Sequence, residues 1–416
     1  MIEYGLLCSG VKHSFSPLIH KKLFGVDYEV FDVQPEKLGE FLSRRDFCAI
    51  NVTVPYKTAV MKYLDSASAE ALAIGAVNTV VNSGGRLCGY NTDVFGFERL
   101  IAASGAGIAG KTVLIGGTGG TAKTAAYVLK HLGAGKTVML SRSIDRGDTT
   151  YENAYAEYGD AGVFVNTTPC GMYPGIDSVP VDITCFPDLF AVIDVVYNPL
   201  TTRLVYEARE NGVPVCVNGL YMLVAQAAEA GRYMYGAEAG VSAIEDLYQT
   251  LLHELSNIVL IGMPGCGKTT VGSVVAARLK RSFYDIDTTV EMSRGKSISE
   301  MMSHYGAEAF RDAETDAVKS LSGLNGAVIA CGGGTPIRRE NMRLLRANGR
   351  VIYIERPVSK LPLGDPRPLS SSREAVEALF LAREPIYKNS CDKHIFSAET
   401  ADKTADRVIS AFGEHI

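Results

Sequence analysis

Short apolar runs rich in β-branched residues recur along the chain, each followed by a longer stretch in which apolar positions return every three or four residues. The first pattern is that of strands buried on both faces, the second that of amphipathic helices. Their alternation predicts an α/β fold with largely parallel sheets. Strands are expected at 4–8, 28–32, 49–54, 112–115, 137–140, 162–166, 191–195 and 213–217, and in a second series at 257–261, 327–330 and 350–354. Gly84-Gly85 reads as a hairpin turn between 77–81 and 87–89, since glycine alone reaches positive φ without strain. Residues 242–255 read as a helix that runs almost directly into the strand at Asn257, with no Gly/Ser- or Pro-rich linker between them.

At 416 residues the chain exceeds what one hydrophobic core supports. The expected division is 1–100 with a returning segment 218–255, then 101–217, then 256–416. A formal net charge of −5 gives no electrostatic reason to expect nucleic acid or an anionic membrane as partner. Anionic ligands must then be held by local features, such as helix N-termini or single arginines. The nine cysteines include no C-x-x-C pair, so reduced thiols are expected, with Cys266 and Cys331 as small packing residues. The opening Met-Ile-Glu-Tyr has no basic stretch leading into an apolar one, and no apolar run reaches the ~18 residues of a membrane span. The expectation is a cytoplasmic protein acting on small molecules, as monomer or homodimer.

The second half carries Gly262-Met-Pro264-Gly265-Cys266-Gly267-Lys268-Thr269-Thr270, a full G-x-x-x-x-G-K-T between a strand and a helix. Glycines let backbone N–H groups curl around phosphates, and the helix dipole adds roughly half a positive charge there. Lys268 would reach the β- and γ-phosphates of ATP, and Thr269 would bind Mg²⁺. Downstream stand Asp285-Ile-Asp287, Phe310-Arg311-Asp-Ala-Glu314, Gly332-Gly333-Gly334 and Arg383-Glu-Pro-Ile-Tyr387. Two carboxylates spaced i,i+2 at the end of a short strand are expected to point the same way, and two separate arginines can clamp a carboxylate. Each piece alone is weak, for a lone Asp or Arg is usually a solvated charge. In this order they resemble shikimate kinase over 257–412. The resemblance implies that Asp287 binds the acceptor hydroxyls and accepts the transferred proton, and that Asp285 supports magnesium through water. It also implies that Arg311 and Arg383 hold the shikimate carboxylate, with the glycines 332–334, Gly333 above all, against the ring. The lid arginine usual before Arg-Pro-Leu is absent, and Lys360 or Arg367 is expected to supply its charge, Arg367 in first place.

In the first half, Gly117-Thr118-Gly119-Gly120-Thr121-Ala122 fits G-x-G-x-x-A after the strand at 112–115. The next strand ends Ser141-Arg142-Ser143, where an NAD-binding unit would carry an acid. An arginine there suits the 2′-phosphate of NADP(H). Upstream come His13-Ser14-Phe-Ser16-Pro17, Asn51-Val-Thr53-Val-Pro-Tyr-Lys57, Gly75-Ala-Val-Asn78 and Asn91-Thr-Asp93-Val-Phe-Gly96. Ser, Asn and Asp also cap helices and turns, but four such stretches within a hundred residues exceed that need. A lysine and an aspartate sharing a pocket form a proton-transfer pair.

Residues 4–250 resemble shikimate dehydrogenase. The resemblance implies an α/β substrate domain and a Rossmann-like NADP domain, ahead of a P-loop α/β domain like the nucleoside monophosphate kinases. It places Ser14, Ser16, Thr53, Asn78 and Asp93 on the substrate, with Lys57 and Asp93 as the catalytic pair. Tyr197 and Gln226 would close on substrate, Thr167 would meet the cofactor, and Val195, Gly219 and Met222 would lie near the nicotinamide. The implied activities are reduction of 3-dehydroshikimate and phosphorylation of shikimate. Two alternatives stand beside them: a quinate-directed dehydrogenase fused to the kinase, and a regulator in which one half has become a ligand sensor.

Overall fold

A computed structural model describes residues 3–10, 14–362 and 372–414. The chain divides into two compact units, Met1–Thr250 and Leu251–Ile416.

The first unit opens with β1 (Tyr4–Cys8), α1 (Ser16–Phe24), β2 (Glu29–Asp32), α2 (Leu38–Arg44) and β3 (Ala49–Val52). It continues through β4 (Ser66–Ala67), α3 (Ala69–Ile74), the hairpin β5 (Thr79–Ser83) and β6 (Arg86–Tyr90), and α4 (Asp93–Ser104). These strands form one sheet in the order β2-β1-β3-β5-β6-β4, parallel on the β1 side and antiparallel across β3-β5-β6. Gly84 and Gly85 both have positive φ at the hairpin, as its turn requires.

A second sheet follows from β7 (Thr112–Gly116), α5 (Gly120–His131), β8 (Lys136–Ser141), β9 (Thr149–Thr150), α6 (Tyr151–Glu157) and β10 (Val163–Asn166). It is completed by β11 (Ala191–Asp194), α7 (Arg203–Glu210) and β12 (Val215–Val217). Every pairing in it is parallel, in the order β12-β11-β10-β7-β8-β9. Strand order reverses at β7, so the glycine turn after it opens at the switch point where α/β sheets take ligands. From there α8 (Leu220–Met234) returns to pack on α4, and α9 (Val241–Leu255) follows. At the α4–α8 crossing a Cβ on Gly96 would lie 2.8 Å from both Gln226 Cβ and the Met222 carbonyl, so only glycine lets the helices come this close.

The second unit runs β13 (Asn257–Ile261), α10 (Lys268–Leu279), β14 (Phe283–Asp285), α11 (Ile286–Arg294), α12 (Ile298–Leu321), β15 (Val328–Ala330) and α13 (Arg339–Arg346). It ends with β16 (Gly349–Glu355), α14 (Arg373–Ser390), β17 (Lys393–Phe396) and α15 (Ala401–Gly413). Its five strands are all parallel, in the order β14-β15-β13-β16-β17, and the loop after central β13 again sits at a switch point.

The expected α/β class with parallel sheets is the one observed; β4, β9 and β17 were not among the expected strands, and other differences lie at strand ends. The run 49–54 stops at Val52, ahead of Pro55, which has no N–H for a ladder. The run 213–217 begins only at Val215, after Pro214 for the same reason. All nine cysteines are free, with Cys266 and Cys331 buried. No described helix is long and apolar enough to cross a membrane.

Candidate active sites

In the first unit the lysine comes first. Behind β3 the chain turns so that Tyr56 is buried, and its hydroxyl donates to the Val33 carbonyl at 2.5 Å. The Lys57 carbonyl in turn accepts from Val77 N–H at 2.8 Å, which fixes the backbone on both sides of the side chain. Asp93, the first residue of α4, meets Lys57 Nζ with Oδ2 at 2.6 Å. Its Oδ1 accepts from Asn78 Nδ2 at 2.9 Å, and Asn78 Oδ1 accepts from Thr92 N–H at 2.7 Å. Gln226 on α8 accepts from Asn78 at 3.4 Å. Lys57 also donates to Thr121 Oγ1 at 3.2 Å, and a Cβ on Gly120 would stand 3.0 Å from Lys57 Cβ. The Lys57–Asp93 pair therefore sits directly against the glycine turn of the other sheet.

Ser14 donates to Ser16 Oγ at 3.2 Å, so the two hydroxyls do share one turn. Tyr197 lies 5.5 Å from Phe15, ring to ring, and burial pushes its phenol above the ordinary range against the pull of Ser14. Thr53 donates its N–H to the Leu7 carbonyl at 3.0 Å, which puts it at the carboxy ends of β1 and β3. These four make no direct hydrogen bond to Lys57 or Asp93 among the described residues. His13 and Arg367 lie outside the described residues.

The glycine turn has the form a dinucleotide needs. Gly117 has φ +107°, and a Cβ there would come within 2.9 Å of Thr167 Oγ1, which itself donates to the Gly116 carbonyl at 2.6 Å. Thr118 follows, and Gly119 caps α5 with no side-chain hydrogen bond and open space at its Cβ position. The first N–H groups of that helix are thus free of a side-chain cap. Ser141 is buried and accepts from Ser143 N–H at 3.3 Å, while Arg142 between them is exposed. Gly219 lies so close to Val195 that any side chain would collide with the Val195 carbonyl, and Met222 is buried one turn along α8.

Two residues in this unit carry more than sequence reasoning assigned them. Thr92 bonds Asn78 as described. Asp194 is fully buried at the end of β11, accepting from Asn166 Nδ2 at 2.9 Å, Thr202 Oγ1 at 2.7 Å and Val196 N–H at 3.0 Å. Burial pushes its carboxyl up to about 7 against those three donors. An acid closing the apolar run Ala191–Asp194 was the available signal.

In the second unit, Gly262, Gly265 and Gly267 all have positive φ, and α10 starts without a side-chain cap. Pro264 and the buried Cys266 fill the loop between them. The buried Lys268 ammonium donates to the Gly262 and Met263 carbonyls at 2.9 and 3.0 Å. Thr269 Oγ1, ahead of Thr270, donates to Asp285 Oδ2 at 2.7 Å. The i,i+2 strand reading of Asp285 and Asp287 is corrected here. β14 ends at Asp285, whose carboxylate caps α11 by accepting from Thr288 N–H at 3.2 Å, and Asp287 stands in the first helical turn. The two acids come together by a strand-to-helix corner, not by strand alternation. Burial raises Asp287 to about 6; Asp285 and Glu314 add to the rise, while Lys268 and Arg311 oppose it.

Around Asp287 the remaining pieces converge. Arg311 pairs with the fully buried Glu314 at 2.7 Å, and Thr335 Oγ1 donates to Glu314 at 2.6 Å. A Cβ on Gly332 would meet Asp287 Oδ1 at 2.5 Å, one on Gly333 would meet Pro264, and one on Gly334 would collide with the Arg311 guanidinium. The buried Arg383 donates to the Gly333 carbonyl at 3.0 Å, joined there by the Tyr387 hydroxyl at 2.5 Å. Glu314 and Tyr387 were given no role from sequence, although their i,i+3 and i,i+4 spacing from Arg311 and Arg383 on one helix each was visible. Lys360 ends a short 3-10 turn and is exposed.

Comparison with known proteins bears on both units. Residues 6–80 match the family described as shikimate dehydrogenase substrate binding domain, and residues 264–412 the family described as shikimate kinase. A shikimate dehydrogenase (NADP(+)) of Symbiobacterium thermophilum is 38% identical over 268 residues, 58% of this chain and 91% of the relative. The shikimate 5-dehydrogenase of Thermus thermophilus, solved in complex with NADP(H) and shikimate, is 33% identical, covers 60% of this chain and 99% of its own, and superposes with a TM-score of 0.53. A quinate dehydrogenase from Corynebacterium glutamicum, solved in complex with NAD, is 29% identical over 60% of this chain and 99% of its own, with a TM-score of 0.52.

Proposed function

Because the chain belongs to the shikimate dehydrogenase family and carries a shikimate kinase domain after it, we propose that it catalyses two consecutive reactions. These are NADPH-dependent reduction of 3-dehydroshikimate to shikimate, then ATP-dependent phosphorylation of shikimate to shikimate 3-phosphate. The observation that carries this reading is the Lys57–Asp93 pair, 2.6 Å apart and hydrogen-bonded through Lys57 to the glycine turn at Thr121. Residues 1–100 with 218–255 are assigned to substrate, 101–217 to the dinucleotide and 256–416 to phosphoryl transfer, in a cytoplasmic protein.

The residues present fit a dinucleotide: an uncapped helix start at Gly119, open space beside it, and Arg142 where an acid would repel a 2′-phosphate. NADPH, when bound, supplies the hydride for the ketone carbon. Lys57 hydrogen-bonds the oxygen on which charge develops and delivers its proton there, while Asp93 aims the ammonium and Asn78 fixes Asp93. Ser14, Ser16, Thr53, Tyr197 and Gln226 hold the ring hydroxyls and carboxylate.

In the kinase half, Thr269 and Asp285 present hard oxygen ligands that suit Mg²⁺, the carboxylate acting through water. Mg²⁺, when bound, neutralises charge on the β- and γ-phosphates. Arg311 and Arg383 clamp the shikimate carboxylate, and Lys268 transfers its ammonium from the loop carbonyls to phosphate oxygens. Asp287 takes the proton of the attacking 3-hydroxyl, a task suited to a carboxylate raised to about 6.

The test supplies the purified chain with 3-dehydroshikimate, NADPH and Mg·ATP, and follows NADPH loss and ADP formation together. ADP should appear only after a lag and only when NADPH is present. ADP formation that ignores NADPH, or NADPH loss with no ADP, refutes the coupled reading. The quinate alternative, motivated by the likeness to the Corynebacterium enzyme, requires faster turnover with 3-dehydroquinate in the same assay.

A further inference from the structure

Away from the Lys57–Asp93 pair, the first unit contains a cavity of about 580 Å³, within the range of small-molecule pockets. Its walls are the carboxy-terminal half of α4, the end of α7, the end of β12, the start of α8 and the first turns of α9. α4 and α8 are the segments that join the two sheets of this unit, so the cavity lies at that junction. Asp93 opens α4, and the cavity begins about 9 Å further along the same helix, at Arg99. It is therefore separate from the reduction site.

The chemistry of the walls is uneven. Arg99 is half-buried, and its Nε is buried with no acceptor among the described residues. Arg209 lines the same space, donating one Nη2 to the Cys216 carbonyl at 3.3 Å and pairing with no carboxylate among the described residues. Of the described lining residues one is acidic, Glu245, and its Oε1 accepts from Gln249 at 3.0 Å. Tyr221 and Tyr248, edge to face with centroids 5.1 Å apart, line the same space together with Leu100 and Val217. Two cations, neither paired with a carboxylate among the described residues and outnumbering the one lining acid, beside two tyrosines favour an anion attached to a flat apolar body.

We propose that this cavity is a second ligand site of the dehydrogenase half, taking a small aromatic carboxylate. Its carboxylate lies on Arg99 and Arg209 and its ring against Tyr221 and Tyr248. A free phosphate would leave the two tyrosines unused, and a neutral ring would leave both guanidinium groups without an anionic partner. The site also bears on reduction, because Asn218 in its wall accepts from Leu220 N–H at 2.9 Å and so shapes the turn that carries Gly219.

The experiment is calorimetric titration of the full chain with shikimate and NADPH saturating, a dead-end pair that fills the sites of the preceding proposal. Binding of shikimate and NADPH is measured first, so failure there is separate from failure here. The probes are 4-hydroxybenzoate, 4-hydroxybenzamide and inorganic phosphate. The benzoate should bind once per chain, and the amide and phosphate about tenfold more weakly or worse. Arg99→Gln and Arg209→Gln should each weaken the benzoate about tenfold or more, the order expected when a charged hydrogen-bond donor is lost. Both variants should keep dehydrogenase and kinase kcat. Should Arg99→Gln fail to fold, Arg209→Gln, at an exposed position, carries the comparison alone. No heat with the benzoate, equal binding of all three probes, or undiminished binding by the folded variants overturns the proposal.

Discussion

Replacing Lys57 with methionine keeps the length and apolar stem of the side chain and removes the ammonium alone. In the parent the pair is tight: 2.6 Å between Nζ and Oδ2, with side chains 15% and 6% exposed. Deleting one member of a buried pair leaves a stranded charge, a change that typically destabilises by about 3–5 kcal/mol. Asp93 keeps two mitigating partners, the Asn78 amide at 2.9 Å and the amino end of α4, so the lower end of that range is expected. On the proposed mechanism the loss of the Lys57 ammonium should lower kcat for dehydroshikimate reduction by roughly 10²–10⁴, equal to about 3–5 kcal/mol at 1.36 kcal/mol per decade. The two effects separate because the chain contains its own control. Lys57 and the phosphate loop belong to different units, so kinase kcat in the same preparation should stay within about twofold of the parent. Single-turnover reduction with NADPH, measured beside steady-state ADP release, reads both. Reduction at near-parental rate would refute the role of Lys57. Equal loss of both activities would mean that the substitution acts through folding and says nothing of proton transfer.

Three other outcomes follow from named groups. Arg142→Ala should raise KM for NADP(H) about tenfold or more while leaving NAD(H) kinetics unchanged, and a parent that prefers NADH would contradict the reading of the exposed arginine after β8. Lys268→Met should abolish ADP formation, whereas Arg311→Ala should raise KM for shikimate with ATP affinity retained; a converse pattern in the Arg311 variant would rule out the carboxylate clamp. The kinase kcat/KM should rise with pH through about 6, because Asp287, raised to about 6 by burial, must be deprotonated to accept a proton. The linked stability has the opposite sense: a carboxyl raised in the folded state favours folding most below its unfolded value, and that contribution disappears as pH climbs through about 6. A flat profile between pH 5 and 8 (roughly the range bracketing that value) would remove Asp287 from proton transfer.

Much of this was legible in the residues. Most strands of the two parallel sheets announce themselves as apolar runs, though the half-polar Lys393–Phe396 does not, and both glycine turns fall between a strand and a helix as their motifs require. Strands as short as Ser66–Ala67 and Thr149–Thr150 were invisible, since two residues carry no periodicity. Asp285 and Asp287 were misread because a carboxylate at a strand end and one capping a helix look alike until the hydrogen bond to Thr288 is placed. Glu314 is not legible in the sequence because a fully buried acid shows itself only through its partner, and the motif around Arg311 points that arginine toward substrate. The cavity beside α4 could not be read at all. Its walls come from residues 99 to 249, gathered by tertiary packing and by no local pattern.

The glycine at the α4–α8 crossing leaves a seam with no side chain in it. Gln226 Cβ and the Met222 carbonyl each stand 2.8 Å from where a Gly96 side chain would begin, so even a methyl group there would wedge the two helices apart. The wedge would act three residues from Asp93 on one helix and directly against Gln226 on the other. A position that touches no ligand would then disturb the Lys57–Asp93 neighbourhood through packing alone.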